Sequence, residues 1–127
     1  GGKGLHVVLP IASTPWEKAK EFTQALAGAM AADEPDRYVA TATKSKRNKR
    51  VFIDYLRNSR EATAVAPYST RARPGAAVSA PIDWSELGSI KSADHYTVLN
   101  IRARLKRLRN DPWAGIGRIR QKLPNAK

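Results

Sequence analysis

The chain has 127 residues, 42% of them hydrophobic, and its 23 Lys and Arg against 11 Asp and Glu give a formal net charge of +12. That length predicts one compact domain with a modest core. With no cysteine and two histidines, disulfides, thiolate zinc sites and cysteine nucleophiles are excluded, and no run approaches the roughly 20 apolar residues of a membrane span.

A positive excess of this size repels itself unless a polyanion neutralises it, so nucleic acid is the leading partner class. An anionic membrane surface competes, but the longest amphipathic helix is not cationic throughout. The opening Gly1-Gly2-Lys3-Gly4 has neither an initiator Met nor the apolar stretch of a signal peptide, which predicts a segment that begins in mid-domain. Glycines there let backbone amides face an anion while Lys3 adds a point charge, as in a phosphate-binding loop. The full Walker spacing is missing and a strand follows instead of a helix, which disfavours a P-loop NTPase. Terminal glycines also serve as plain linker.

Leu5-His6-Val7-Val8-Leu9-Pro10 reads as a buried strand that proline stops. His6 is its one polar member; a histidine among aliphatics is usually a hydrogen-bonded core residue, and only its proximity to Lys3 raises a functional reading. Thr14-Pro15-Trp16-Glu17 has capping-box spacing with proline at the first helical position, so a helix starts there. Its apolar stripe is Trp16, Ala19, Phe22, Leu26 and Met30, and Asp33-Glu34-Pro35 ends it. Lys44 to Arg50 then places five cations in seven residues, a basic loop or hairpin tip in which Asn48 suits a positive-φ turn.

Val51 to Tyr55 is a second strand, and it ends in Asp54 with Arg57 three residues later. A carboxylate there can hold a metal and an arginine can hold a phosphate. The plainer alternative is that Asp54 merely ends a strand and starts a turn. Ala62 to Tyr68 is a buried element whose small residues leave helix and strand undecided. Pro74-Gly75 fixes a turn, Ala76 to Pro81 extends along a sheet edge, and Asp83-Trp84-Ser85-Glu86-Leu87 forms a short capped helical turn. Arg71 and Arg73 are two apart, so in an extended segment both side chains project to one side and can grip two oxygens of a phosphate chain, although such pairs more often form a solvated face.

Tyr96 to Leu108 is helix-like, with Val98, Ile101, Leu105 and Leu108 on one face and Arg102, Arg104, Lys106, Arg107 and Arg109 largely on the other. His95 has no motif around it and reads as structural. Asp111-Pro112 breaks the helix, Trp113 offers an aromatic anchor, and the basic tail to Lys127 reads as loosely packed or a linker.

Taken together, Gly1-Gly2-Lys3-Gly4-Leu5-His6, the Val51 to Asn58 run, Ala66 to Gly75, Ala80-Pro81-Ile82-Asp83-Trp84 and Asp111-Pro112-Trp113 resemble the polymerase domain of bacterial ATP-dependent DNA ligase D. That family belongs to the archaeo-eukaryotic primase superfamily and extends DNA ends during non-homologous end joining, using metal-bound nucleoside triphosphates. The resemblance implies an α+β primase-type core, a mixed or antiparallel sheet with packed helices. Residues 1–113 correspond to its C-terminal half and residues 114–127 to a basic tail or linker.

By the same resemblance Asp54 is similar to the third metal-binding aspartate, for Mg²⁺ or Mn²⁺. Gly2, Lys3 and His6 resemble the nucleotide-phosphate loop, and Arg57, Arg71 and Arg73 the arginines around the incoming triphosphate. The family's other two metal aspartates form an Asp-x-Asp motif upstream of the glycines, and this sequence has no Asp-x-Asp and no Lys-x-Asp-Gly adenylation motif. One carboxylate cannot hold two divalent ions against a triphosphate, so the chain alone should be inactive as a nucleotidyltransferase. The implied partners are DNA ends, the triphosphate, and an N-terminal half or partner chain, in a bacterial, nucleoid-associated cytoplasmic setting. A sheet lacking half its strands exposes an edge that a homodimer would cover. The competing reading is a non-catalytic basic nucleic-acid-binding module, for which the charge and the cationic helix suffice.

Overall fold

The computed structural model describes residues 4–125. The chain forms two compact units. One comprises Ile11–Ala64 with the residues from Arg120 onward, the other the residues up to Pro10 together with Val65–Ile119.

The first unit is built on α1, Trp16–Asp33. The predicted capping box does not form: Thr14 turns its hydroxyl back to donate to the Ala12 carbonyl at 2.7 Å, and Pro15 occupies the cap position with no side-chain hydrogen bond. The helix ends where expected, because Pro35 pushes Glu34 out of the helical region to φ −129° and ψ 70° while the Glu34 N–H still donates to Met30. The buried face is rotated from the predicted stripe. Ala27 is fully buried, whereas Trp16 and Leu26 are about half exposed at 52% and 49%. Ala19, Thr23, Ala27 and Ala31 lie four residues apart along the inner side, and these small residues let α1 approach β1, Tyr38–Val39.

Val39 is buried under that helix. β1 pairs in parallel with β2, Val51–Phe52, in the register Tyr38 to Val51 and Val39 to Phe52. The basic segment between them is therefore the crossover of a parallel pair, not the tip of a hairpin. It contains a 3₁₀ turn over Lys44–Lys46 and two left-handed residues, Asn48 at φ 29° and Lys49 at φ 66°. Arg47 reaches back to the Ala42 carbonyl and lies 4.8 Å over the Phe52 ring, and Arg50 donates to the Pro35 carbonyl. The second predicted strand is shorter than expected, extended one step by the Ile53 N–H to the Val39 carbonyl at 2.9 Å. The chain returns at its end, where Gln121 bridges Ile11 in parallel and accepts from the Ala12 N–H at 2.9 Å.

The second unit has no regular sheet among its described residues. Leu5 to Leu9, expected as a buried strand, is irregular and exposed, with Val7 at 79%. A strand forms only where another backbone takes up its N–H and C=O groups, and no described segment pairs with this one. Ala62 to Tyr68 is also neither helix nor strand. Isolated antiparallel bridges join Thr70 to Val78 and Ala77 to Thr97, and Val78 is buried. The capped turn forms as predicted: a 3₁₀ helix over Trp84–Ser89 whose Asp83 carboxylate accepts from the Ser85 N–H at 2.9 Å, while Glu86 accepts from the Asp83 N–H at 2.7 Å. α2 covers only Ile101–Arg107. Asn100 and Thr97 tie up the backbone ahead of it, Asn100 accepting from the Thr97 N–H and Thr97 from the Leu99 N–H.

Candidate functional site

β2 delivers Asp54 to the surface of the first unit. Asp54 Oδ1 accepts the Leu56 N–H at 2.9 Å, the turn-forming bond of an aspartate that ends a strand. Its second oxygen faces the Arg57 Nε at 3.9 Å, and the Arg57 Nη1 donates to the Thr63 carbonyl at 2.9 Å. Asn58 closes the turn by donating both its N–H and its side-chain amide to Tyr55. The carboxylate and the guanidinium remain 43% and 60% exposed, so solvent screening leaves the pair little energetic weight. It leaves both heads open to a ligand. A shallow cleft of ≈ 170 Å³ nearby is lined by Trp16, Glu17, Lys20, Asn58, Ser59 and Arg60, and includes neither Asp54 nor Arg57.

In the second unit Arg71 and Arg73 share one loop. The Arg73 N–H donates to the Arg71 carbonyl at 2.9 Å, so the chain bends tightly at Ala72 instead of running extended as predicted. Gly75 at φ 91° and Ala76 at φ 46° complete the turn, and the Ala76 N–H donates to the Arg73 carbonyl. At the loop's base the Arg71 N–H donates to the Ala77 carbonyl, and Tyr68 and Ser69 exchange bonds with Ser79. His6 is exposed on an irregular segment, away from any aliphatic core. Gly2 and Lys3 lie outside the described residues. Asp54 and Arg57 thus stand together in one unit, and Arg71 and Arg73 together in the other.

Another polar cluster is one that no motif announced. Arg104, assigned by periodicity to the cationic outer face, is 3% exposed. Its Nη2 donates to both Glu86 oxygens, at 3.1 and 3.0 Å, and to the Pro81 carbonyl at 2.8 Å. Its guanidinium carbon lies 4.5 Å over the Tyr96 ring, and the Tyr96 hydroxyl donates to Glu86 at 3.0 Å. Burial pushes the Glu86 carboxyl up, but bonds from the Asp83 N–H, Arg104 and Tyr96 outweigh it and hold the group below its usual range. Burial likewise opposes the charge on Arg104, and Glu86 and Tyr96 together more than restore it. The available signal was spacing: Arg104 is three residues after Ile101 and four before Leu108, on the stripe that faces inward.

Beside this cluster the Tyr68 hydroxyl donates to Asp111 Oδ2 at 2.5 Å, across 43 residues of sequence. Burial raises the Tyr68 phenol above its ordinary value, Asp111 adds to the rise, and Arg104 opposes it. Asp111 in turn accepts from the Trp113 N–H at 2.7 Å. Among the described residues no group of three or more His, Asp or Glu is placed to hold a metal ion, and no helix is long and apolar enough to cross a membrane.

Comparison with known proteins gives the family. A family model described as LigD, primase-polymerase domain, matches residues 1–113. The multifunctional non-homologous end joining protein LigD of Pseudomonas aeruginosa is 39% identical over 99% of the chain, and the bifunctional LigD of Bacillus subtilis is 27% identical over 84%. The chain spans 15% and 18% of the length of those two proteins. The polymerase domain of Mycobacterium tuberculosis ligase D, solved in complex with DNA, superposes with a TM-score of 0.74 at 27% identity, over 83% of this chain and 36% of that one. The α+β fold is accordingly primase-type, and the chain belongs to the LigD primase-polymerase domain family of non-homologous end-joining DNA repair.

Proposed function

We propose that the chain is the C-terminal half of a primase-type polymerase domain. In this reading it grips the phosphates of a nucleoside triphosphate through Arg57, Arg71 and Arg73 and presents Asp54 as one carboxylate ligand for a divalent metal. Arginine suits the task because its planar fork makes paired charge-assisted bonds to phosphate oxygens. Gly2, Lys3 and His6 would add backbone and side-chain donors to the same phosphates. The observation that carries the reading is the turn after β2, where Asp54 and Arg57 stand side by side with both charged heads open to solvent.

The described residues by themselves do not fit a complete metal centre, since no group of three or more His, Asp or Glu among them is placed to hold an ion. Nucleotide transfer therefore depends on carboxylates contributed by the rest of the domain or by a partner chain. DNA ends bind through the basic surface, where charge neutralisation supplies affinity without reading sequence. A second copy or the other half of the domain would cover the exposed run from Leu5 to Leu9. A bacterial cytoplasmic setting fits a DNA-repair polymerase.

The test is calorimetric titration of the chain with Mn²⁺ and a nucleoside triphosphate, repeated for Asp54→Ala and Arg71→Ala. Metal-dependent binding that Asp54→Ala abolishes and Arg71→Ala weakens supports the proposal. Salt-sensitive DNA binding with no nucleotide binding supports the second reading, a basic nucleic-acid-binding module, which the lack of an acidic cluster among the described residues favours.

A further inference from the structure

The loop that carries Arg71 and Arg73 is held at its start in a conformation that its own sequence disfavours. Tyr68 has φ 62°, a left-handed backbone that is uncommon for a bulky aromatic residue and persists only when its surroundings impose it. Two bonds impose it here: the Tyr68 N–H donates to the Ser79 carbonyl at 2.6 Å, and the phenol donates to Asp111 at 2.5 Å. The far side of the loop is braced by backbone and ion-pair contacts. The Val78 N–H donates to the Tyr96 carbonyl, and Tyr96 is clamped between Glu86 and the buried Arg104. One side of the loop is therefore fixed by the buried ion pair, and the other through the Tyr68 phenol, which donates to the exposed Asp111 and is also hydrogen-bonded by Arg104.

We propose that Tyr68 is a positioning residue whose phenol, latched to Asp111, fixes the backbone from which Arg71 and Arg73 reach a triphosphate. The inference rests on the nucleotide reading of those two arginines. Breaking the latch removes no atom that touches the nucleotide. It frees the strained backbone three residues before Arg71 to relax toward right-handed values, which re-aims both guanidinium groups and restores entropy that binding must then remove.

The experiment is a double-mutant cycle on triphosphate affinity with the whole chain, using Tyr68→Phe, Asp111→Asn, Arg71→Ala and the pair Tyr68→Phe with Arg71→Ala. Phenylalanine keeps the ring and loses only the hydroxyl. The expected result is a Kd raised about tenfold by Tyr68→Phe, the order of one lost hydrogen bond to a charged group. Asp111→Asn, which keeps an acceptor oxygen, should recover part of that loss. In the Arg71→Ala background Tyr68→Phe should cost clearly less than in the wild-type chain, because the part of the latch's effect that runs through Arg71 is gone and only the part through Arg73 remains. A purely structural role would instead lower the melting temperature and cost the same affinity in both backgrounds, which overturns the proposal. Tyr68→Phe binding like wild type while Arg71→Ala weakens binding also overturns it. If Arg71→Ala binds as tightly as wild type, the nucleotide reading itself fails and takes the latch with it.

Discussion

Arg104 shows how strongly one side chain can organise a unit with little apolar core. It is 3% exposed and faces a Glu86 that keeps about a quarter of its side-chain surface in water. Removing the guanidinium leaves a partly buried carboxylate without its counter-charge, so Arg104→Met should destabilise the second unit by roughly 3 kcal/mol, read by urea denaturation. The same pair sets a pH response. Because the folded Glu86 titrates below its usual 4.5, its contribution to stability is complete above that pH and is lost as pH falls through the folded value. Tyr68 behaves in the opposite sense: raised above 10.0, it stabilises the fold below that pH and ceases to as pH climbs through the folded value. Melting temperatures should therefore decline at both extremes, and Glu86→Gln should flatten the acid limb.

At the scale of elements, what was legible was local chemistry. The end of α1 at Glu34 and the capped turn at Asp83 each depend on residues within three positions of one another, and both form where predicted. Of the two predicted strands, β2 forms at the start of the Val51 to Tyr55 run, whereas Leu5 to Leu9 does not form one, because it has the right residues but β-structure needs a partner that its own composition does not specify. The face of α1 was misjudged for a related reason. Large apolar residues mark a stripe, yet the fully buried residue of the helix that packs on β1 is an alanine, Ala27. Ala27→Leu should consequently overpack the α1–β1 contact and cost about 1–3 kcal/mol in denaturant unfolding. The predicted faces of the Tyr96 to Leu108 segment failed in both directions: Arg104, whose charge concealed an inward position, is buried, and Val98 and Leu105, expected inside, are 47% and 45% exposed.

For the molecule as a whole, the net charge of +12 and the exposed cations Arg102, Lys106 and Arg107 on α2 bear on the proposed binding of DNA. Affinity for duplex ends should fall steeply with salt, and replacing those three residues by alanine should reduce the salt slope by roughly one unit for each phosphate that is no longer neutralised, without altering sequence preference. The candidate site was proposed from residue type and order: a carboxylate followed by arginines after an apolar run. Its geometry was not, because the bend at Ala72 and the left-handed Tyr68 are imposed by bonds to distant segments.

The most direct test of the nucleotide role is a magnetic-resonance titration of the isotopically labelled chain with a Mg²⁺-bound nucleoside triphosphate, following backbone and guanidinium signals. Shifts concentrated at Asp54, Arg57, Arg71 and Arg73 are the predicted result. Signals at those four positions that stay fixed while others move, or that move no differently from the rest of the basic surface, would contradict it.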